Sequence, residues 1–140
     1  MSRRDGAAAT RELSFLAFDF GLKRTGVASG NTVLGRAKSL QTIAAEGDKR
    51  FEAIAALIAQ WRPDALVVGV PRHPDGAAHD NTHRAQRFAR RLQGRFGLPV
   101  HEVDERYTTV EASAEGAADV DAAAAALILD QYLRELECPT

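Results

Sequence analysis

Four acidic side chains, separated by long stretches of sequence, are the residues of this chain best suited to catalysis. Asp19 ends one apolar run, Asp104 and Glu105 end another, and Asp121 lies near the start of the last predicted helix. Clustered carboxylates repel one another, which raises their pKa values, and a divalent cation relieves that repulsion. Donors that are all oxygen favour Mg²⁺ or Mn²⁺ over Zn²⁺. A site of this kind activates water and stabilises both oxygens of an in-line phosphoryl displacement.

The segment from Ala17 to Ala28 surrounds the first of these acids. An apolar strand ends in Asp19, a turn carrying Lys23 and Arg24 follows, and a second strand with its own glycine begins. A carboxylate at the end of a buried strand is unfavourable unless a cation pairs with it. The two basic residues either contact a substrate phosphate or face solvent in an ordinary hairpin turn.

Apolar periodicity predicts the elements that position these acids, in the order β-β-β-α-β-α-β-α-α. Buried or alternating runs predict strands at residues 13–20, 25–29, 32–43, 65–70 and 100–103. Helical spacing predicts helices from Gly47-Asp48 to Pro63, at residues 80–96, from residue 108 and from about Asp121. Asp48 is the predicted N-cap of the first helix.

The connections between these elements predict where the acids meet. Strands separated by helices run parallel, so the first, fourth and fifth strands end at the same edge of the sheet. Ligands of open α/β sheets bind at such an edge, where Asp19, Asp104 and Glu105 are predicted to converge. Asp121 shares a helical stripe with Ala125 that faces the sheet. There it would be an N-cap, an ion-pair member or a metal ligand.

The composition limits the class of protein. The 140 residues carry a formal net charge of −1, with 45% apolar and 26% charged residues, which is typical of one soluble globular domain. We expect residues 1–12 to be a flexible tail and residues 13–140 to form that domain. The single cysteine, Cys138, excludes an intrachain disulfide and a cysteine zinc site. No apolar stretch matches a signal peptide or a membrane span, so the predicted location is the cytoplasm.

A local basic patch is the feature that could give this chain affinity for nucleic acid, because it is not basic overall. Four arginines share one face of the helix predicted at residues 80–96, with no acid between them: Arg84, Arg87, Arg91 and Arg95. Such a stripe would track a phosphate backbone through sequence-independent, salt-sensitive contacts. The alternative is a solvated helix face.

Four blocks of the sequence form a series that extends from about residue 13 to residue 136. They are Asp19-Phe-Gly-Leu-Lys23-Arg24-Thr-Gly26-Val-Ala28; Gly69-Val-Pro71 with Asp75-Gly76, Thr82, Phe88-Ala89 and Leu92; Val103-Asp104-Glu105-Arg106-Tyr-Thr108-Thr109 with Glu111-Ala112; and Asp121 with Ala124-Ala125 and Ile128-Leu129. In this order and spacing the chain resembles the YqgF/RuvX family of pre-16S rRNA nucleases, also described as Holliday-junction-resolvase-like proteins. Thr25 stands where the first block usually has isoleucine.

The resemblance implies a ribonuclease-H-like α/β fold with a five-stranded mixed sheet flanked by helices. It implies cleavage of a phosphodiester with Mg²⁺ or Mn²⁺, at the 5′ end of pre-16S ribosomal RNA. By motif, the catalytic acids and metal ligands would be Asp19, Glu105 and Asp121, with Asp104 left open as a ligand. Arg106 would hold a nonbridging phosphate oxygen or neutralise the acids beside it.

Three rival functions share some of these features. The Asp-x-Gly hairpin also resembles the phosphate loop of actin-like ATPases, but those proteins hold nucleotide between two domains and this chain has room for one. A Holliday-junction resolvase acting on branched DNA would need a symmetric dimer to cut two strands. A non-catalytic RNA-associated module would have no need of the matching acids. The predicted partners are therefore pre-16S rRNA, branched DNA or a pre-ribosomal particle, bound by a monomer or a homodimer and away from membranes.

Overall fold

The order of strands in the sheet places the predicted acidic edge. The computed structural model describes residues 12–71, 80–104 and 120–137. Its strands are β1 (Ser14–Phe20), β2 (Thr25–Asn31), β3 (Ala37–Ile43), β4 (Ala65–Val70) and β5 (Val100–Asp104). They form one mixed sheet in the order β3-β2-β1-β4-β5. β1 pairs parallel with β4, and β4 pairs parallel with β5. The predicted shared edge at the carboxyl ends of these three strands is therefore confirmed.

Three described helices cover the two faces of this sheet. They are α1 (Gly47–Trp61), α2 (Asp80–Phe96) and α3 (Val120–Glu137). Alternate β1 residues face opposite sides, because side chains alternate along a strand. Leu16 and Phe18 pack with α1 and α2 in one core cluster, whereas Phe15 and Ala17 pack with α3 in another. By this alternation Asp19 belongs to the α3 face of the sheet.

The predicted N-cap of α1 and the predicted start of β3 are wrong for local reasons, although α1 begins at Gly47 as predicted. Asp48 is not an N-cap: α1 begins at Gly47 after the capping residue Glu46, and Asp48 lies in its first turn. Gly47 enters the helix with a φ of 58°, a value that glycine adopts without strain. β3 begins at Ala37 rather than at residue 32, because the side chain of Asn31 accepts a hydrogen bond from the Leu34 N–H and closes a turn.

Helical spacing also places Trp61 and Leu136 on the apolar stripes of the first and last helices, but each is 41% exposed. Other predictions lie outside the described residues. The helix predicted from residue 108 and nearly all of the predicted tail at residues 1–12 lie outside the described residues. Within the ranges that the structure describes, no helix is long and apolar enough to cross a membrane.

Candidate active site

Asp19 and Asp121 come together because α3 packs directly onto β2. Gly26 is the partner of Asp19 in the β1–β2 ladder. A Cβ atom placed on Gly26 would lie only 1.8 Å from the backbone carbonyl oxygen of Asp121. Only a residue without a side chain allows this approach, so Gly26 sets the first turn of α3 against the strand position next to Asp19.

The electrostatics of Asp19 show the proximity of the two acids. Its pKa is raised from 3.8 to about 6, first by burial and second by the negative charge of Asp121. Burial in a medium of low dielectric disfavours the charged carboxylate, and a like charge adds to the penalty. A cation between the two acids would remove both costs. Two oxygen-donor side chains with this arrangement fit a hard divalent cation better than a soft one.

Asp121 forms an ion pair, which is one of the three roles that the sequence left open for it. It lies within the first turn of α3, and its Oδ2 is 3.1 Å from Nε of Arg24. A carboxylate in the first turn is also stabilised by the helix dipole. The Arg24 side chain remains 66% exposed, so it can reach a substrate while it neutralises Asp121. Lys23 is exposed in the same turn.

Asp104 is the last residue of β5, and it lies on the face of the sheet opposite Asp19. It pairs in register with Val70, which belongs to the core beneath α1 and α2. Its backbone carbonyl accepts a hydrogen bond from Nε2 of Gln131 in α3, at 3.0 Å. In the described part of the chain, no group of three or more His, Cys, Asp or Glu residues could hold a metal ion. Glu105 and Arg106, the other predicted members of the site, lie outside the described residues.

Arg50 is a site residue that the sequence analysis missed. Although it is charged, it is only 5% exposed. Its guanidinium donates to the carbonyl oxygens of Ala45, Gly21 and Leu22 at 3.1, 2.9 and 2.6 Å. It also lies 4.6 Å from the centre of the Phe20 ring, and its burial lowers its pKa. Arg50 therefore fixes the turn that follows Asp19. The available signal for its burial was helical spacing, because Arg50 lies four residues before the buried Ile54 and so on the same face of α1.

The predicted arginine stripe is divided in the structure. Arg84, Arg87 and Arg91 lie exposed along α2. Arg95 is committed to α1 instead: it contacts Oδ1 of Asp48 at 3.1 Å and covers the ring of Phe51 at 4.4 Å. Arg91 also lies over the Phe51 ring, at 5.5 Å, so the C-terminal half of the stripe packs on α1.

Known structures share this arrangement of strands and helices. RuvC from Thermus thermophilus, solved in complex with a Holliday junction substrate, aligns with a TM-score of 0.52 and 16% sequence identity. The alignment covers 87% of this chain and 95% of RuvC. At this identity the likeness concerns the fold alone, and it confirms the predicted ribonuclease-H-like sheet.

Sequence comparison gives the family. Proteins of Albidiferax ferrireducens and a Polaromonas species, each named "Putative pre-16S rRNA nuclease", are 67% and 63% identical over 123 residues. These matches cover 88% of this chain and 79% and 89% of the two relatives. A family model described as RuvX, Holliday junction resolvase, matches residues 13–135. The chain therefore belongs to the RuvX family, as its four sequence blocks predicted.

Proposed function

We propose that this protein is a metal-dependent nuclease that hydrolyses a phosphodiester at the 5′ end of pre-16S ribosomal RNA. The observation that carries the proposal is the meeting of Asp19 and Asp121 across Gly26, at the carboxyl edge of a ribonuclease-H-like sheet. The pKa of Asp19 is raised by burial and by the negative charge of Asp121, and a bound cation would relieve this cost. The names of the close relatives supply the substrate.

The chemistry assigned to this pair is cation binding. Asp19 and Asp121 would hold Mg²⁺ or Mn²⁺ together with Glu105. When bound, the ion acidifies a water molecule and offsets charge on the phosphoryl oxygens. Arg24 neutralises Asp121 before substrate arrives and is exposed enough to turn toward a phosphate afterwards.

Asp104 is the less suitable of the two candidates for the third acid. It lies on the face of the sheet opposite Asp19, whereas the metal-binding carboxylates must share a face. The sequence motif favours the neighbouring residue, Glu105, as the third acid. The proposed ligand set is therefore Asp19, Glu105 and Asp121 without Asp104.

Basic residues on both sides of this edge would bind the substrate. Lys23 and Arg106 are assigned to phosphates near the scissile bond, and Arg84, Arg87 and Arg91 to the backbone farther along. Such contacts position a nucleic acid without reading its sequence. A ribosomal RNA precursor would be met in the cytoplasm, within a pre-ribosomal particle, by a monomer or a homodimer.

Resolution of branched DNA is the second candidate, favoured by the description of the family model and by the fold of RuvC. Symmetric cleavage of a four-way junction requires two active sites related by a dimer axis. Cleavage of RNA by one active site requires no such partner. A non-catalytic RNA-associated role would give the acidic pair of Asp19 and Asp121 no function.

Cleavage assays on three substrates would separate these functions. Purified protein is incubated with precursor ribosomal RNA, a four-way DNA junction or ATP, with Mn²⁺ or with EDTA. We expect Mn²⁺-dependent cleavage of the RNA that Asp19→Asn abolishes and that Glu52→Gln, a change at an exposed acid of α1, leaves intact. Equal cleavage by Asp19→Asn would identify a contaminating nuclease and overturn the proposal. Cleavage of the junction alone would replace it with the resolvase.

A further inference from the structure

A cavity of about 190 Å³ opens at the same sheet edge, on the face opposite the acidic pair. Its apolar wall comes from Phe20, Leu22 and Phe88, and its rim from Arg84, Arg87 and Arg91. Phe20 follows Asp19 directly in β1, and Leu22 lies in the turn beyond it. A strand that leaves the acidic pair therefore reaches the cavity by crossing only the edge of the sheet.

Among the described residues, the charged side chains that line this cavity are all cationic: Arg50 and the three arginines of the rim. The acid Glu46 lies close enough to act on the charge of Arg50, but it is not part of that lining. The nearby Asp48 is already paired with Arg95. A site with cations at its mouth and ring carbons inside complements a ligand with negative charge outside and a flat apolar part within. Nucleotides in a single strand have this character, because every base presents a π-face and every linkage a phosphate.

We propose that this cavity holds one unpaired base of the RNA substrate, with its flanking phosphates on Arg84, Arg87 and Arg91. The inference rests on the proposed nuclease function and names the form of substrate: single-stranded RNA rather than duplex. The cavity is smaller than the roughly 300–1,000 Å³ typical of drug-sized ligands, which suits a single base rather than a complete nucleotide. Bases in such sites stack on aromatic rings and on guanidinium planes.

Substitutions at Leu22 can test the proposal without destabilising the fold. Its side chain is 57% exposed, so a polar replacement there leaves the core intact. Leu22→Glu places a carboxylate at the mouth of the cavity, whereas Leu22→Met keeps its apolar wall. Binding of each variant is measured by fluorescence anisotropy with a labelled short single-stranded RNA and with the same oligonucleotide made abasic at every position, both in EDTA.

We expect the wild type and Leu22→Met to bind the base-bearing RNA about tenfold more tightly than the abasic one, as stacking of one base predicts. Leu22→Glu should lose that preference. The proposal is overturned if the wild type binds both oligonucleotides equally, or if Leu22→Glu keeps the preference. A tenfold preference for the same RNA in duplex form would also overturn it, because a paired base cannot enter the cavity.

Failure here is distinguishable from failure of the nuclease assignment. The oligonucleotide measurements are made without metal and compare base-bearing with abasic RNA, so they report base binding rather than cleavage. Mn²⁺-dependent cleavage that requires Asp19 would stand even if base preference were absent. Base preference without any cleavage would instead leave an RNA-binding site on a protein that is not the proposed nuclease.

Discussion

The two faces of the sheet meet at one edge but present different charged groups there. On the α3 face, Asp19 and Asp121 lie together, and Arg24 is paired with Asp121. On the α1–α2 face, Arg84, Arg87 and Arg91 surround a cavity with no acid among the described residues of its lining. Acids beside a scissile phosphate would repel the rest of a polyanion, so under the proposed function the separation onto two faces would let one edge both cleave and hold the substrate. Gly26 maintains the first face, and Arg50 links the two.

Gly26→Ala should have the largest effect, because it forces α3 away from β2 at the place where Asp19 and Asp121 meet. The new Cβ would meet the backbone of Asp121 at 1.8 Å, and backbone cannot move aside as a flexible side chain can. We expect a loss of about 3 kcal/mol or more in the free energy of unfolding, at the upper end of overpacking costs. Urea denaturation measures it, together with loss of cleavage.

Gly94→Ala is the matched control for that substitution. Gly94 lies inside α2, and a Cβ there meets nothing within 4 Å. Alanine is the better helix former, so this variant should gain about 0.5–1 kcal/mol. If Gly26→Ala proved as stable as Gly94→Ala, α3 would not depend on close contact with β2, and the account of the acidic pair would fail.

The pH dependence of stability tests the charge of Asp19 on the α3 face of the sheet. The pKa of Asp19 is about 6 in the folded protein and 3.8 without its surroundings. Because the folded state holds this proton more tightly, the stabilisation is complete below about pH 4 and is lost as the pH rises through 6. The shift corresponds to up to about 3 kcal/mol, less whatever solvent screens.

The measurement is urea denaturation in EDTA across this pH range, for the wild type and for Asp19→Asn. We expect the wild type to lose stability relative to the variant between about pH 4 and 6. Mn²⁺ at pH 7 should stabilise the wild type and not Asp19→Asn. Parallel curves of stability against pH for the two proteins would show that folding does not raise the pKa of Asp19.

Arg50 tests whether the two faces are coupled. Its guanidinium holds two carbonyls of the turn after Asp19 and a third at Ala45. Hydrogen bonds from a charged group contribute roughly 1.5–3 kcal/mol, so Arg50→Gln should cost about 2 kcal/mol and reduce cleavage. Arg50→Lys should recover little, because an ammonium cannot reproduce the planar fork. Full recovery by lysine would mean that charge alone, and not the bridge, is what this position supplies.

The salt dependence of RNA binding tests whether the exposed arginines of α2 contact phosphates. Each phosphate contact contributes about 0.7 to the slope of log K against log salt for single strands. Arg87→Gln combined with Arg91→Gln should therefore weaken binding several-fold and flatten the slope by about 1 to 1.5. Arg90→Gln is the control, since Arg90 is exposed on the same helix but does not line the cavity. An unchanged slope in the double variant would make the stripe a solvated surface.

The sequence was most informative where its signals are local. β4 at Ala65–Val70 and α2 at Asp80–Phe96 were predicted to the residue, because a short apolar run and a helix-period pattern mark them. The helical spacing of Arg50 before Ile54 indicates that Arg50 is buried, but its hydrogen bonds to carbonyls nearly thirty positions away leave no pattern in the sequence. The separation of Asp104 from Asp19 likewise depends on strand register, which alternation in one strand cannot supply.

Thr25 offers the smallest predicted effect, and it separates the stability of one face from the chemistry of the other. It is fully buried on the α1 side of the sheet, and its hydroxyl has no hydrogen-bond partner among the described residues. A buried hydroxyl without a partner costs about 1–3 kcal/mol of desolvation. Thr25→Val keeps the shape and removes that cost, so unfolding should require about 1 kcal/mol more while cleavage is unchanged. A less stable Thr25→Val would reveal a partner for the hydroxyl, and a change in cleavage would show that the two faces do not act independently.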